Sequence, residues 1–173
     1  MITNHTQAKG WINSSITEIV REFKGKRAKD YDDFAFRSQL AVEKLNKAIL
    51  CFFILKSEKV HTPSKIIQNV IKNEKNIKID KQTEDILFNI INYSEFFEKQ
   101  GTITRYDVSK EGVLTFPEDL YDSQEIIKDF LYNLKKILEN VVIFLQDFLH
   151  FTEKDYEGLT QIKQFLGDKK KWK

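Results

Sequence analysis

Phe36-Arg37-Ser38-Gln39-Leu40-Ala41-Val42-Glu43-Lys44-Leu45-Asn46-Lys47-Ala48-Ile49-Leu50 sets the architecture of this chain. Phe34, Ala41, Leu45, Ala48, Phe52 and Leu55 keep the three-and-four spacing of a helix–helix seam. Ala41 and Ala48 are small enough to let a neighbouring helix approach closely. Glu43 stands four residues before Lys47, the favourable order for a helical ion pair. Val42, Ile49 and Phe53 flank the main seam, so this helix carries more apolar surface than one neighbour covers.

Working outward, residues 6–23 form a first helix with Trp11, Ile12, Ile16, Ile19, Val20 and Phe23 on one side. Lys24-Gly25-Lys26-Arg27-Ala28-Lys29 reads as a basic, Gly-containing break. The second helix spans about residues 31–57. Thr62-Pro63 opens a shorter third helix, Thr as cap and Pro at the first helical position, with Ile66, Ile67, Val70 and Ile71 on its buried side. Asp80 caps a fourth, with Ile79, Thr83, Ile86, Ile90 and Phe97 on its stripe, Leu87 and Ile91 beside it and Gly101 at its end. In the last long helix Ile127, Leu131, Leu134, Leu138, Val141, Leu145 and Phe148 alternate steps of four and three. A second seam runs beside it through Ile126, Phe130, Ile137, Phe144 and Phe151. Two seams demand partners on two sides, within the bundle or across a subunit contact.

One segment departs from the helical pattern. Residues 102–108 alternate and are β-branched-rich, Ser109-Lys110-Glu111-Gly112 reads as a turn, and Val113-Leu114-Thr115-Phe116 as a returning strand. Beyond residue 152, Leu159, Ile162, Phe165 and Leu166 make a short amphipathic helix, and Lys169-Lys170-Lys171-Trp172-Lys173 a frayed, solvated end.

The 173 residues suffice for one core that buries roughly two thirds of the unfolded surface. A formal charge of +2 with well-mixed signs argues against a dedicated nucleic-acid binder. Cys51 is the single cysteine, so no intrachain disulfide and no cysteine-rich zinc site forms; in its apolar run it reads as a small buried hydrophobe. The polar start shows no secretory signal, and no apolar run approaches the roughly 20 residues of a membrane span, so a cytoplasmic protein is expected. His5, His61 and His150 are scattered, and Asp30, Asp32 and Asp33 lack the downstream Glu of a calcium loop. No metal site, no cofactor and no Gly-rich phosphate loop is expected. Arg37, Lys44 and Lys47 share a face that reads as solvated or salt-linked between subunits in preference to a phosphate-binding stripe.

The 36–50 stretch resembles the second helix of the HEPN family (higher eukaryote and prokaryote nucleotide-binding domain), of the small prokaryotic or archaeal type. The family's Gln-x-Ala-x-Glu-Lys-x-x-Lys-Ala run is matched by Gln39, Ala41, Glu43, Lys44, Lys47 and Ala48. Arg105-Tyr106 resembles the Arg-Tyr-Pro motif before the last helix, with Asp107 in place of Pro, and His61 falls where relatives often carry a His. The resemblance covers about residues 11–151. It implies an all-α, up-and-down bundle of four or five helices over residues 1–152 and an extension over 153–173. A two-fold homodimer is expected because the double seams of the second and last long helices exceed what one small bundle can bury, and it is the usual state of the family the chain resembles.

HEPN ribonucleases carry an Arg followed four to six residues later by a His, the Arg stabilising phosphate charge and the His moving a proton. Here the positions after Arg105 are Lys110, Glu111 and Gly112, and no Arg in the chain has a His at that distance. No catalytic residue is therefore assigned. In an up-and-down bundle the links after the second and fourth helices share one end, which would gather His61, Arg105, Tyr106 and Asp107 into a ligand-binding group. Local roles, His61 beside a helix cap and Arg105 on a nearby carboxylate, compete with that reading. Three functions follow from the resemblance: a non-catalytic module that pairs with a minimal nucleotidyltransferase in a toxin–antitoxin-like system, an RNA-cutting enzyme with a departed motif, and a nucleotide or RNA binder. The missing His favours the first.

Overall fold

The stretch around Ala41 and Ala48 becomes the most enclosed helix of the chain, α2 (Tyr31–Phe52), in a computed structural model that describes residues 5–53, 62–73, 79–101, 108–110, 113–121, 123–154 and 156–172. Asp30 caps it by accepting the Asp33 N–H, and Asp32 and Asp33 lie in the first turn, where the helix dipole favours negative charge. From Leu45 to Phe52 every side chain is buried, so neighbours surround this half of the helix on all sides.

Helix α1 (His5–Ala28) packs antiparallel to α2. The Ser15 hydroxyl donates to the Ala41 carbonyl at 2.8 Å, and at the far end the His5 ring meets Phe52 at 5.5 Å. The expected break at residue 24 does not occur. Lysine and arginine are good helix formers, and one Gly costs a helix only about 1 kcal/mol, so α1 runs on through Gly25. It stops at Lys29, whose φ of 61° is left-handed. Val20, expected on the buried side, is 40% exposed, whereas Ala8, Ile12, Ile16, Ile19 and Phe23 are in the core.

Helix α4 (Lys81–Gln100) is capped by Asp80, which accepts the Thr83 N–H at 2.8 Å, and it ends at Gly101. Gly101 lies against the Gln39 side chain near the start of α2, so α2 and α4 are antiparallel. Helix α6 (Gln124–Ile143) is antiparallel to α4, through Phe97–Phe130 at 5.6 Å and Tyr93–Tyr132 at 6.2 Å. It is parallel to α2, through Phe34–Phe130 and Phe52–Phe144. The up-and-down alternation therefore runs α1, α2, α4, α6. The short α3 (Pro63–Asn73) is inserted between α2 and α4 and takes no place in that alternation.

Both seams of α6 are met within the one chain, with Ile126, Phe148 and Phe151 half-buried against the core and the other members buried. Ile127, Leu131, Leu134, Leu138, Val141 and Leu145 of the first, and Phe130, Ile137 and Phe144 of the second, are all in the core. The apolar excess of α2 is likewise covered, by α1, α3, α4 and α6. The sequence argument for a dimer thus loses its premise: the double seams are satisfied inside one bundle. Cys51 is buried, as its apolar run implied.

Strands β1 (Val108–Lys110) and β2 (Val113–Thr115) pair antiparallel, Val108 opposite Thr115 and Lys110 opposite Val113. The expected turn is thus too long, because Ser109 and Lys110 belong to the ladder. Residues 102–107, read as most of the first strand, lie outside the described residues. A one-turn helix α5 (Pro117–Leu120), unforeseen in the sequence, follows with Pro at its first position. After α6 the chain makes a π-turn over Phe144–Phe148 and then α7 (Glu157–Gly167). Leu159 and Ile162 of α7 are fully buried in the common core. The basic tail is docked, contrary to the frayed end expected: the Trp172 indole N–H donates to the Phe165 carbonyl at 2.8 Å and its ring meets Phe23 edge-on at 5.6 Å. Among the described residues no helix is long and apolar enough to cross a membrane.

Candidate functional site

The cations of α2 are held by three carboxylates, Glu18 of α1 and Asp33 and Glu43 of α2 itself. Glu18 of α1, only 5% exposed, accepts Lys44 Nζ at 2.8 Å and Arg37 Nη1 at 3.0 Å, with Arg21 at 3.5 Å. Arg37 also donates to Asp33 at 3.0 Å, four residues earlier. Burial works to raise the Glu18 carboxyl, but hydrogen bonds and charge from Lys44 and Arg37 outweigh it and hold the group below the usual carboxylate range. One turn further on, Lys47 Nζ donates to Glu43 at 2.8 Å and Gln39 Nε2 donates to the same carboxylate at 3.2 Å. Lys47 also sits over the Trp11 ring, 5.1 Å from its centre.

Each residue of the HEPN-like run therefore has a structural duty. Gln39, Glu43 and Lys47 form a buried polar ladder, Lys44 ties α2 to α1, and Ala41 and Ala48 permit the close helix contact. Arg37, Lys44 and Lys47, the stripe weighed for phosphate, are neutralised by internal carboxylates. The same interface buries Glu22, fully enclosed on α1, whose two oxygens have no hydrogen-bond partner among the described residues. Burial pushes its carboxyl well above the usual range, and Ser38 and Lys26 offset this only in part. The Ser38 hydroxyl is itself committed to the Phe34 carbonyl at 2.9 Å.

His61, Arg105, Tyr106 and Asp107 lie outside the described residues. Their flanks do meet, though not for the reason expected. With α2 and α4 antiparallel, the end of α2 lies far from the end of α4. It is the start of α3 that returns to the end of α4: Glu98 accepts both the N–H and the hydroxyl of Ser64. A carboxylate there satisfies an otherwise unpaired amide and faces the positive end of the α3 dipole. At the same end the Tyr121 hydroxyl donates to Gln100 at 2.8 Å, and Gly101 packs on Gln39. Burial raises the phenol of Tyr121 to about 12, so it serves as a neutral donor.

The other two histidines lie elsewhere in the fold. His5 packs between Phe52 and Phe151, and His150 holds a left-handed turn at φ 55°. Sequence reasoning missed Glu18, Glu22 and Glu98. A signal existed for one of them, since Ala8, Ile12, Ser15, Ile19 and Glu22 step by four and three and place Glu22 on a buried seam.

These features, a four-helix alternation with a charged, alanine-lined second helix, define a class of small α-helical bundle. The HEPN domain model matches residues 13–144, well over half of the chain, and the chain belongs to the HEPN family. The match takes in most of α1 and all of α2, α3, α4 and α6, and leaves α7 and the tail outside. No curated protein and no solved structure matches the chain significantly.

Proposed function

We propose that this HEPN-family chain is a non-catalytic, cytoplasmic partner module that acts as a homodimer and binds a minimal nucleotidyltransferase in a toxin–antitoxin-like pair. One observation carries the reading: the HEPN frame is kept while the ribonuclease chemistry is missing. No Arg is followed at four to six residues by a His, and the cations of the signature helix are tied to Glu18 and Glu43. The dimer rests on the family resemblance, since the apolar seams that also argued for it are met within one chain.

In this reading His61, Arg105, Tyr106 and Asp107 form the ligand-contacting group. The Ser64–Glu98 bond supports it by fastening together the two ends from which those stretches depart. The test is co-expression with the product of the neighbouring reading frame, followed by light scattering of the purified material. A stable complex containing two copies of this chain is the expected result. Cleavage of a mixed RNA pool by the purified chain, abolished by both Arg105→Ala and His61→Ala, would overturn the proposal in favour of a ribonuclease with a departed motif. Tight RNA or nucleotide binding without cleavage, and without a protein partner, would favour a plain binder.

A further inference from the structure

Helices α1 and α7 lie side by side and parallel, with Tyr156 beside Lys9 and Asn13 at one end and Phe165 stacked on Phe23 at the other. Between them lie two adjoining hollows of about 640 and 220 Å³, and a third of about 380 Å³ extends the groove between the end of α1 and the tail that follows α7. Neighbouring hollows share lining residues, Ile16, Val20 and Gln161 in one case and Lys171 in the other. Tyr156 is the strut that holds the groove open. Its ring folds over Gly158, where an added Cβ would come within 2.3 Å of it, and its hydroxyl reaches the Asn13 side chain at 3.1 Å.

The groove has an apolar floor and a basic rim. Val20 is one of four exposed large apolar side chains among the described residues, and Ile16 and Phe165 lie beside it. The lining contains the cations Lys9, Arg21, Lys24, Lys26, Lys170 and Lys171 against only Glu157 and Asp168, in a chain whose charge is +2 in all. Lys24 has no ion pair among the described residues, and Arg21 is half-exposed with only a long contact to Glu18.

We propose that this groove docks an acidic amphipathic helix of a partner protein. Two aligned helices leave a trough that a third helix fills, its ridge seated on the Ile16–Val20 step and its flanking carboxylates facing Arg21, Lys24 and Lys170. From Lys9 to Lys26 the groove follows α1 for about 25 Å, the length of a helix of roughly 17 residues. Single-stranded nucleic acid is a poorer match, because it needs open ring faces to stack on. Here Lys171 covers the Phe165 ring at 4.1 Å, Lys9 lies over the Tyr156 ring at 5.4 Å, and Phe23 is stacked on Phe165.

This inference deepens the partner-module reading and rests on it only for the existence of a partner. The probes are a labelled helical peptide of about 18 residues with leucines at helical spacing between glutamates, the same peptide with lysines for glutamates, and a short single-stranded RNA. Anisotropy should show the acidic peptide binding saturably and about tenfold or more tighter than its lysine counterpart. Arg21→Glu with Lys24→Glu, and separately Val20→Asp, should each weaken it about tenfold, with unchanged helical circular dichroism. Equal binding of the two peptides, indifference to the substitutions, or displacement of the acidic peptide by the RNA would each overturn the groove assignment. A nucleotidyltransferase that co-purifies equally with wild type and groove variants would sink the groove and leave the partner reading standing. Peptide binding without such co-purification would do the reverse.

Discussion

Glu18 on α1 holds Arg37 and Lys44 of α2 at 3.0 and 2.8 Å, two residues one heptad apart clamped by a single buried carboxylate. The partners are partly enclosed, so removing the acid strands two cations in a low-dielectric interface. Glu18→Ala should therefore destabilise the fold by about 2–3 kcal/mol, at or just below the low end of the roughly 3–5 kcal/mol for broken buried pairs because the cations are only partly enclosed and Arg37 keeps Asp33. Urea denaturation at pH 7 measures it. A loss under about 0.5 kcal/mol would show the clamp to be no stronger than a surface ion pair. The carboxyl is held below its ordinary range, so its contribution is present above the unfolded value and disappears as pH falls through the folded one.

Glu22 has the opposite sign. Its buried carboxyl is raised well above the ordinary value, so the folded state holds a proton that the unfolded state releases. Stability that it contributes is present below the unfolded pKa and is lost as pH rises through the folded one. Glu22→Gln should flatten that part of the stability profile. Glu22→Met, which removes both unpaired oxygens, should add about 1–3 kcal/mol at pH 7. Melts of the three proteins between pH 4 and pH 8 decide the matter, and parallel profiles for wild type and Glu22→Gln would refute it.

The contrast between these two glutamates shows where the sequence is legible. Periodicity reports that a face is buried, so the seams of α2 and α6 could be read directly, as could the Asp80 cap and the Thr62-Pro63 start. It does not report what covers the face. Both α6 seams are met inside the chain, where a subunit contact was equally compatible with the pattern. Glu18 lies beside an apolar run and gives no sign of its role in the sequence, because its partners are twenty or so residues away on another helix. Trp172 reads as part of a frayed basic end, because its docking on Phe23 depends on contacts from the opposite end of the chain. The HEPN-like run was legible as a pattern, and its spacing gave the Glu43–Lys47 pair; what spacing could not see is Glu18, which holds Arg37 and Lys44 from another helix.

The end of α6 carries a local strain that substitution should relieve. The Leu149 N–H reaches back to the Phe144 carbonyl and the Phe151 N–H to that of Leu145, which forces His150 into the left-handed region. That finish is normally taken by Gly, which meets no Cβ clash there. His150→Gly should raise stability by about 0.5–1 kcal/mol, the usual gain less the added freedom of the unfolded chain. Thermal unfolding gives the answer. A destabilised variant would mean that the imidazole makes a contact worth more than the strain.

The bond from Ser64 to Glu98 makes a separable prediction about α3. Its two components differ, since the N–H of Ser64 has no helical partner to fall back on, whereas the hydroxyl is optional. Ser64→Ala should cost about 1 kcal/mol and Glu98→Ala about 2–3 kcal/mol, because the second also strands the buried amide. Glu98→Gln retains an acceptor and a donor in the same place and should cost least. Burial raises the Glu98 carboxyl while the two Ser64 bonds, which favour the carboxylate, work against the rise. The net stability linked to this group is therefore present below the unfolded pKa and lost as pH rises through the folded one, although the bonds themselves tighten on ionisation. Hydrogen exchange resolves the location. In Glu98→Ala the amides of α3 should exchange faster while those in the centre of α6, packed on α2 and α4, keep their protection. Uniform acceleration across all helices would show that α3 is not a separately fastened element. Unchanged exchange in α3 would show that Glu98 does not hold it.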